Sequence, residues 1–143
     1  MPDTPETIIA FDFGLRRIGV AVGQQVTNSS NALETIANVE SGPDWLRIDE
    51  IIREWGPQRL IVGMPLHTDG SPSKTSERVS SFVAELERFE LPIETVDERY
   101  SSVEAQAVLK SKRARGLRGR ISKESIDSTA AMLIAERWLK NER

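Results

Sequence analysis

From Ile8 to Gly23 the chain reads Ile-Ile-Ala-Phe-Asp12-Phe-Gly14-Leu-Arg-Arg17-Ile-Gly19-Val-Ala-Val-Gly23, two apolar strand-like runs joined by a short reversal, with one carboxylate set inside the first. This pattern predicts a β-hairpin with strands at about Thr7–Phe13 and Arg17–Val22. An ionised group inside an apolar strand is costly unless compensated, so Asp12 is expected to be protonated, paired with a base or bound to a cation. Gly14 and Gly19 supply the backbone freedom for the reversal, and they are expected to leave room for a ligand to approach the turn. The hairpin therefore predicts a site as well as a scaffold.

Beyond the hairpin the hydrophobic pattern alternates between strand and helix. A weaker third strand is expected over Ala32–Val39, after the polar stretch Thr27–Asn31, to complete an antiparallel meander. Gly42-Pro-Asp44 reads as a helix start with Asp44 as its cap, and Leu46, Ile48, Ile51, Ile52 and Trp55 recur at helical spacing until Gly56-Pro57. Arg59–Pro65 reads as a buried strand, and a polar loop follows from His67 to Ser73. Val79, Phe82, Val83, Leu86 and Phe89 line one face of a second helix, ahead of a strand at Ile93–Arg99. Helices are expected over Ser101–Ser111 and Ser122–Lys140. The order predicts an α/β fold, a mixed five-stranded sheet with an antiparallel three-strand start and helices on both faces.

With 143 residues, 38% of them hydrophobic, the chain has room for one core. We expect a single domain over residues 7–140, a flexible end at 1–6 and a short tail at 141–143. Cysteine is absent, which removes disulfides, thiolate metal sites and cysteine nucleophiles. No apolar run reaches the roughly 20 residues of a membrane span and Met1–Glu6 does not read as a secretion signal, so a cytoplasmic protein with no membrane partner is expected. The net charge of −3 leaves nucleic-acid binding to a local basic face.

Ligands of open α/β sheets gather beyond the carboxyl ends of the strands. Asp12 ends the first strand, Asp97-Glu98 lie at the end of the last, and topology makes them neighbours. Asp127 lies past the first turn of the final helix, and Ala130, Ala131, Ile134 and Trp138 form an apolar stripe that turns it toward the sheet. Small Ala130 and Ala131 let that helix come close. Carboxylates without cysteine, and with a single histidine, suit hard cations such as Mg²⁺ or Mn²⁺ better than zinc.

Four segments taken together resemble the successive motifs of the YqgF/RuvX family. They are Asp12-Phe-Gly14 with Arg17-Ile-Gly-Val-Ala21, Ile61-Val-Gly-Met-Pro-Leu66, Asp97-Glu-Arg99 followed by Ser102-Val-Glu-Ala105, and Asp127-Ser-Thr-Ala-Ala131. The resemblance spans nearly the whole chain. It implies an RNase H-like fold, kinship with RuvC-type Holliday-junction resolvases and a nuclease role in maturing the 5′ end of pre-16S rRNA.

Two-metal phosphodiester hydrolysis gives the acids a purpose. Asp12 is the expected central ligand, Asp127 a flanking one and Glu98 the third. Adjacent strand residues face opposite ways, so Asp97 is the alternative to Glu98, which then pairs with Arg99. Glu104 is equally well explained by the dipole at a helix start.

The stretch Lys110–Lys123 carries seven cationic residues and no acid. Phosphate is its natural partner, so Lys112, Arg113, Arg115, Arg118 and Arg120 are expected to guide a nucleic-acid backbone, joined by Arg16 and Arg17 of the first turn. Structured precursor rRNA is the expected partner, with branched DNA the runner-up, and the chain is expected to act as a monomer or weak homodimer. Each reading has a plainer rival. Arg17 could simply form a structural salt bridge with Asp12 or Asp127, the connector could be a solvated loop, and His67 an exposed loop residue. Trp45, Trp55 and Trp138 follow helical periodicity and are expected to pack. A catalytically silent rRNA-binding assembly factor is the alternative from another functional class. An actin-like ATPase would need a second lobe for which the chain has no room.

Overall fold

The computed structural model describes residues 5–64, 74–97 and 123–141. In chain order these form β1 (Thr7–Phe13), β2 (Arg17–Gln24), β3 (Ser29–Val39), β4 (Gly42–Pro43), α1 (Trp45–Trp55), β5 (Arg59–Met64), α2 (Lys74–Leu86, extended by a 3-10 turn at Glu87–Phe89), β6 (Ile93–Asp97) and α3 (Lys123–Asn141). The expected helix at Ser101–Ser111 lies outside the described residues.

The sheet runs β4-β3-β2-β1-β5-β6. Strands β1 to β4 form an antiparallel meander, and β5 and β6 lie parallel to β1 and to each other, as short antiparallel turns and longer helical crossovers require. The expected five strands become six because Gly42–Pro43, read as the start of a helix, pairs instead with Asn38 and Val39. Asp44 still caps α1 by accepting from the Arg47 N–H at 3.2 Å, and Gly56 closes it in the left-handed region at φ 54°. Strand β3 starts at Ser29 rather than Ala32, since β2 continues to Gln24 and supplies partners for the polar residues Ser29 to Asn31. A register shift opposite Val20 and Ala21 accommodates an extra residue in β3.

The two sheet faces carry separate cores. On one, Ile9, Phe11, Phe13, Ile18, Val20 and Val22 pack against Ile48 and Ile51 of α1 and Val79, Phe82 and Leu86 of α2. On the other, Ile8, Ala10 and Ile61 meet Ile134, Ala135, Trp138 and Leu139 of α3. Strict alternation along β1 splits its residues between these cores. The three tryptophans pack as periodicity predicts: Trp45 stacks on Phe82 with centroids 5.6 Å apart, Trp55 lies against the α1/α2 core, and Trp138 is buried between α3 and the sheet. Glu6, expected in a flexible end, is tied to the sheet. Its N–H donates to Gln25 Oε1 at 2.8 Å, and its carboxylate accepts from Arg59 Nε at 2.9 Å.

Candidate metal and nucleic-acid site

The register of the first hairpin brings the distant acids together. Asp12 lies directly across from Gly19. Directly opposed residues of an antiparallel pair have Cα atoms about 4.5–5.5 Å apart and share a face. That face is the α3 face, because Asp12 continues the alternation of Ile8 and Ala10, both packed under α3. From the other side, α3 lays its backbone on Gly19. A Cβ built there would stand 2.0 Å from the Asp127 carbonyl oxygen and 2.9 Å from the Ser128 nitrogen. Asp12 and Asp127 are therefore neighbours across a glycine, at the carboxyl end of β1. Gly19 serves the close approach of the protein's own helix and not that of a ligand, which corrects the sequence expectation. The small residues Ala130 and Ala131, both fully buried, make that approach possible.

The apolar stripe on α3 orients Asp127 as its spacing predicts, with Ala130, Ala131 and Ile134 inaccessible and Trp138 nearly so. Arg17 comes from the same face of β2, two residues before Gly19, and its Nε donates to Asp127 Oδ2 at 2.9 Å. Both side chains keep about a third or less of their surface, 31% and 26%. The turn that carries Arg17 is braced from behind: the buried Asn38 donates its side-chain amide to the Gly14 carbonyl at 2.7 Å and its backbone N–H to the Arg16 carbonyl at 3.0 Å. Arg16 itself is exposed.

At the other parallel edge, Asp97 registers with Met64, two strands and about 10 Å across from β1. Met64 packs against the α1/α2 core, whereas Val96, one residue earlier on β6, packs under α3. The pleat thus places Asp97 on the face opposite Asp12, while its carbonyl accepts from Arg137 Nη1 of α3 at 2.7 Å. Glu98, Glu104, His67 and the cationic residues Lys112, Arg113, Arg115, Arg118 and Arg120 lie outside the described residues. Among the described residues no three acids or histidines gather in a metal-binding group, and Asp12 with Asp127 is the pair that the fold assembles. All-oxygen donors at a strand end and on a facing helix suit Mg²⁺ or Mn²⁺.

The Arg17–Asp127 contact was legible only as one of several pairings, since the partners stand 110 residues apart. The bracing role of Asn38 left no sequence signal, because a lone asparagine near a strand end reads as an ordinary turn residue. No helix among the described residues is long and apolar enough to cross a membrane.

The fold is shared with solved resolvases. Thermus thermophilus RuvC in complex with a Holliday junction substrate superposes with a TM-score of 0.57 at 11% identity, covering 94% of each chain. The yeast mitochondrial Holliday junction resolvase gives 0.57 at 12% identity, over 94% of this chain and 78% of that one. The architecture is accordingly RNase H-like. In sequence, a protein of Nitrosococcus oceani is 43% identical over 99% of this chain and 91% of its own, and one of Azotobacter vinelandii is 40% identical over 94% of both; each bears the name "Putative pre-16S rRNA nuclease". A sequence model of the RuvX family, described as Holliday junction resolvase, matches residues 6–141, and the chain belongs to that family.

Proposed function

We propose that this protein is a metal-dependent nuclease that hydrolyses phosphodiester bonds near the 5′ end of pre-16S rRNA in the cytoplasm. The observation that carries the reading is the meeting of Asp12 and Asp127 across Gly19. The named relatives supply the substrate class. Asp12, Asp127 and Glu98 would hold Mg²⁺ or Mn²⁺ in a two-ion site. Bound there, the ions supply a lowered pKa for the attacking water and stabilise the departing oxygen.

The chain's own residues do the holding and the aiming. Asp12 is the central donor because it leaves a rigid sheet strand, and Asp127 is a flanking donor set by helix docking. Glu98 is favoured over Asp97 because Asp97 shares its register and face with Met64, away from Asp12. The connector residues Lys112, Arg113, Arg115, Arg118 and Arg120, with Arg16, would take the phosphate backbone. Their charge, and the lack of aromatic residues among them, suits recognition of backbone and shape over base sequence.

The test compares the protein with Asp12→Asn on precursor rRNA and on a four-way DNA junction, with Mn²⁺, with Mg²⁺ and with chelator. Metal-dependent rRNA cleavage that the substitution abolishes while binding survives is the expected result. Equal activity in Asp12→Asn would remove Asp12 from the chemistry. Cleavage of the junction alone would move the reading to a DNA resolvase, the activity suggested by the fold neighbour bound to a junction. Binding without cleavage by either form would leave an rRNA-binding assembly factor.

A further inference from the structure

Arg17 is used in an unusual way for a purely structural ion pair. Of the five N–H groups on its guanidinium, Nε–H alone is engaged among the described residues, by Asp127 Oδ2 at 2.9 Å. Neither Nη1 nor Nη2 makes a hydrogen bond among the described residues, and Asp127 Oδ1 is likewise open there. A pair built for stability alone gains most from the two parallel bonds of the fork, which this geometry forgoes. Arg59, at the other end of the sheet, illustrates the contrast: Nε and Nη2 both reach Glu6, Nη1 reaches Glu94, and the guanidinium lies over Trp138. All of its nitrogens are occupied. Arg17 is instead held by one corner and presents the other two, on the same sheet face as Asp12 and with its side chain 31% exposed. The turn just before it is braced by the Asn38 bonds to the Gly14 and Arg16 carbonyls, and Asp127 holds the guanidinium by its Nε corner.

We propose that Arg17 is a phosphate-gripping residue of this site, oriented by Asp127 through Nε and offering Nη1 and Nη2 to the oxygens of the phosphodiester presented to the acids. The assignment rests on the nuclease reading and deepens it. It places backbone recognition within one side chain of the proposed metal donors, where the planar fork matches two phosphate oxygens as a lysine cannot. It also gives Asp127 two tasks on two different oxygens: Oδ2 aims the arginine and Oδ1 remains for a cation.

The experiment measures binding of a fluorescein-labelled RNA duplex to the full chain in EDTA across a salt series, for wild type, Arg17→Ala and Arg17→Lys. Mn²⁺-dependent cleavage of precursor rRNA is followed in parallel. Arg17→Ala is expected to weaken duplex binding about tenfold and to reduce the slope of log K against log salt by about 0.9, the loss of one phosphate contact. Arg17→Lys should regain the slope, because it restores the charge, but not the cleavage rate. An unchanged slope in Arg17→Ala overturns the assignment, as does full cleavage by Arg17→Lys. Because binding is read without metal, the two readings fail separately. A reduced slope with no cleavage by wild type keeps Arg17 on phosphate and defeats the nuclease. Cleavage that depends on Asp12, with an unchanged slope in Arg17→Ala, does the reverse.

Discussion

On the face covered by α1 and α2 the sheet presents Phe11, Phe13 and Ile18 and meets Trp45, Phe82 and Leu86, whereas on the α3 face Ile8, Ala10 and Ile61 meet Ile134, Ala135 and Trp138 beside two glycines, Gly19 and Gly23, against which the helix lies close. The first contact is made by long side chains that interdigitate. Phe82 alone meets Phe11, Phe13 and Trp45 with ring centroids 5.1–5.6 Å apart. The second is made backbone to backbone at Gly19. A side-chain contact absorbs small errors by rotamer changes, but a backbone contact fixes the separation of the two elements. The acids of the proposed site belong to the second kind. The difference teaches that both faces carry a core but only the α3 face fixes the placement of the acids.

Removing the central ring of the large-residue face should have the greatest effect on stability. Phe82→Ala is expected to cost about 3–5 kcal/mol and to lower the melting temperature by about 10–15 °C. At a temperature where the variant remains folded, its Mn²⁺ affinity should match that of wild type, and a metal-binding defect there would break the division between the faces. Gly19→Ala comes next. Its methyl group meets the Asp127 carbonyl at 2.0 Å, so α3 must shift, with about 1–3 kcal/mol lost. Mn²⁺ affinity and cleavage should fall together by more than tenfold, measured by calorimetric titration and by rRNA digestion. Retained affinity would show that the backbone contact does not place the acids.

Gly23→Ala sharpens the comparison on the same face. The added methyl meets only the flexible end of Ile8 at 3.0 Å and Ala135 at 3.4 Å, so a change within about 1 kcal/mol is expected in chemical denaturation, with metal binding unaltered. The smallest effect concerns the sheet edge. Arg47 donates to Glu34 through Nε at 2.9 Å, and this hydrogen bond, outweighing partial burial, holds the Glu34 carboxyl below its usual value near 4.5. A lowered carboxyl pKa means stability that is full above the unfolded value and disappears as pH falls through the folded one. Arg47, raised further above its already alkaline value, titrates outside that window. Since both side chains are about a third exposed, Glu34→Gln should lower the melting temperature at neutral pH by only about 1–2 °C, less in high salt. The difference from wild type should shrink as the pH falls below the ordinary carboxyl value near 4.5 and vanish once the folded carboxyl is protonated, and a constant difference across pH would rule out the ion pair as its source.

How much of this could be read from the chain depends on the range of the interaction. Strand β1 ends where alternation and Gly14 predict, and α1 begins and ends at Asp44 and Gly56, because each signal is local. The start of β3 is not legible in the polar residues Ser29 to Asn31, because their pairing with Val22, Gly23 and Gln24 is a tertiary fact. Gly42-Pro43 reads as a helix start because composition does not reveal its partner strand. The facings of Asp12 and Asp127 followed from periods of two and 3.6 residues. Their meeting at Gly19 did not, since it depends on where a helix more than a hundred residues later comes to rest.

That long reach gives one contact the character of a latch. Opening of α3 alone from Gly19 would part the two carboxylates while the hairpin that bears Asp12 stayed paired, so the proposed site would come apart and re-form without unfolding the sheet.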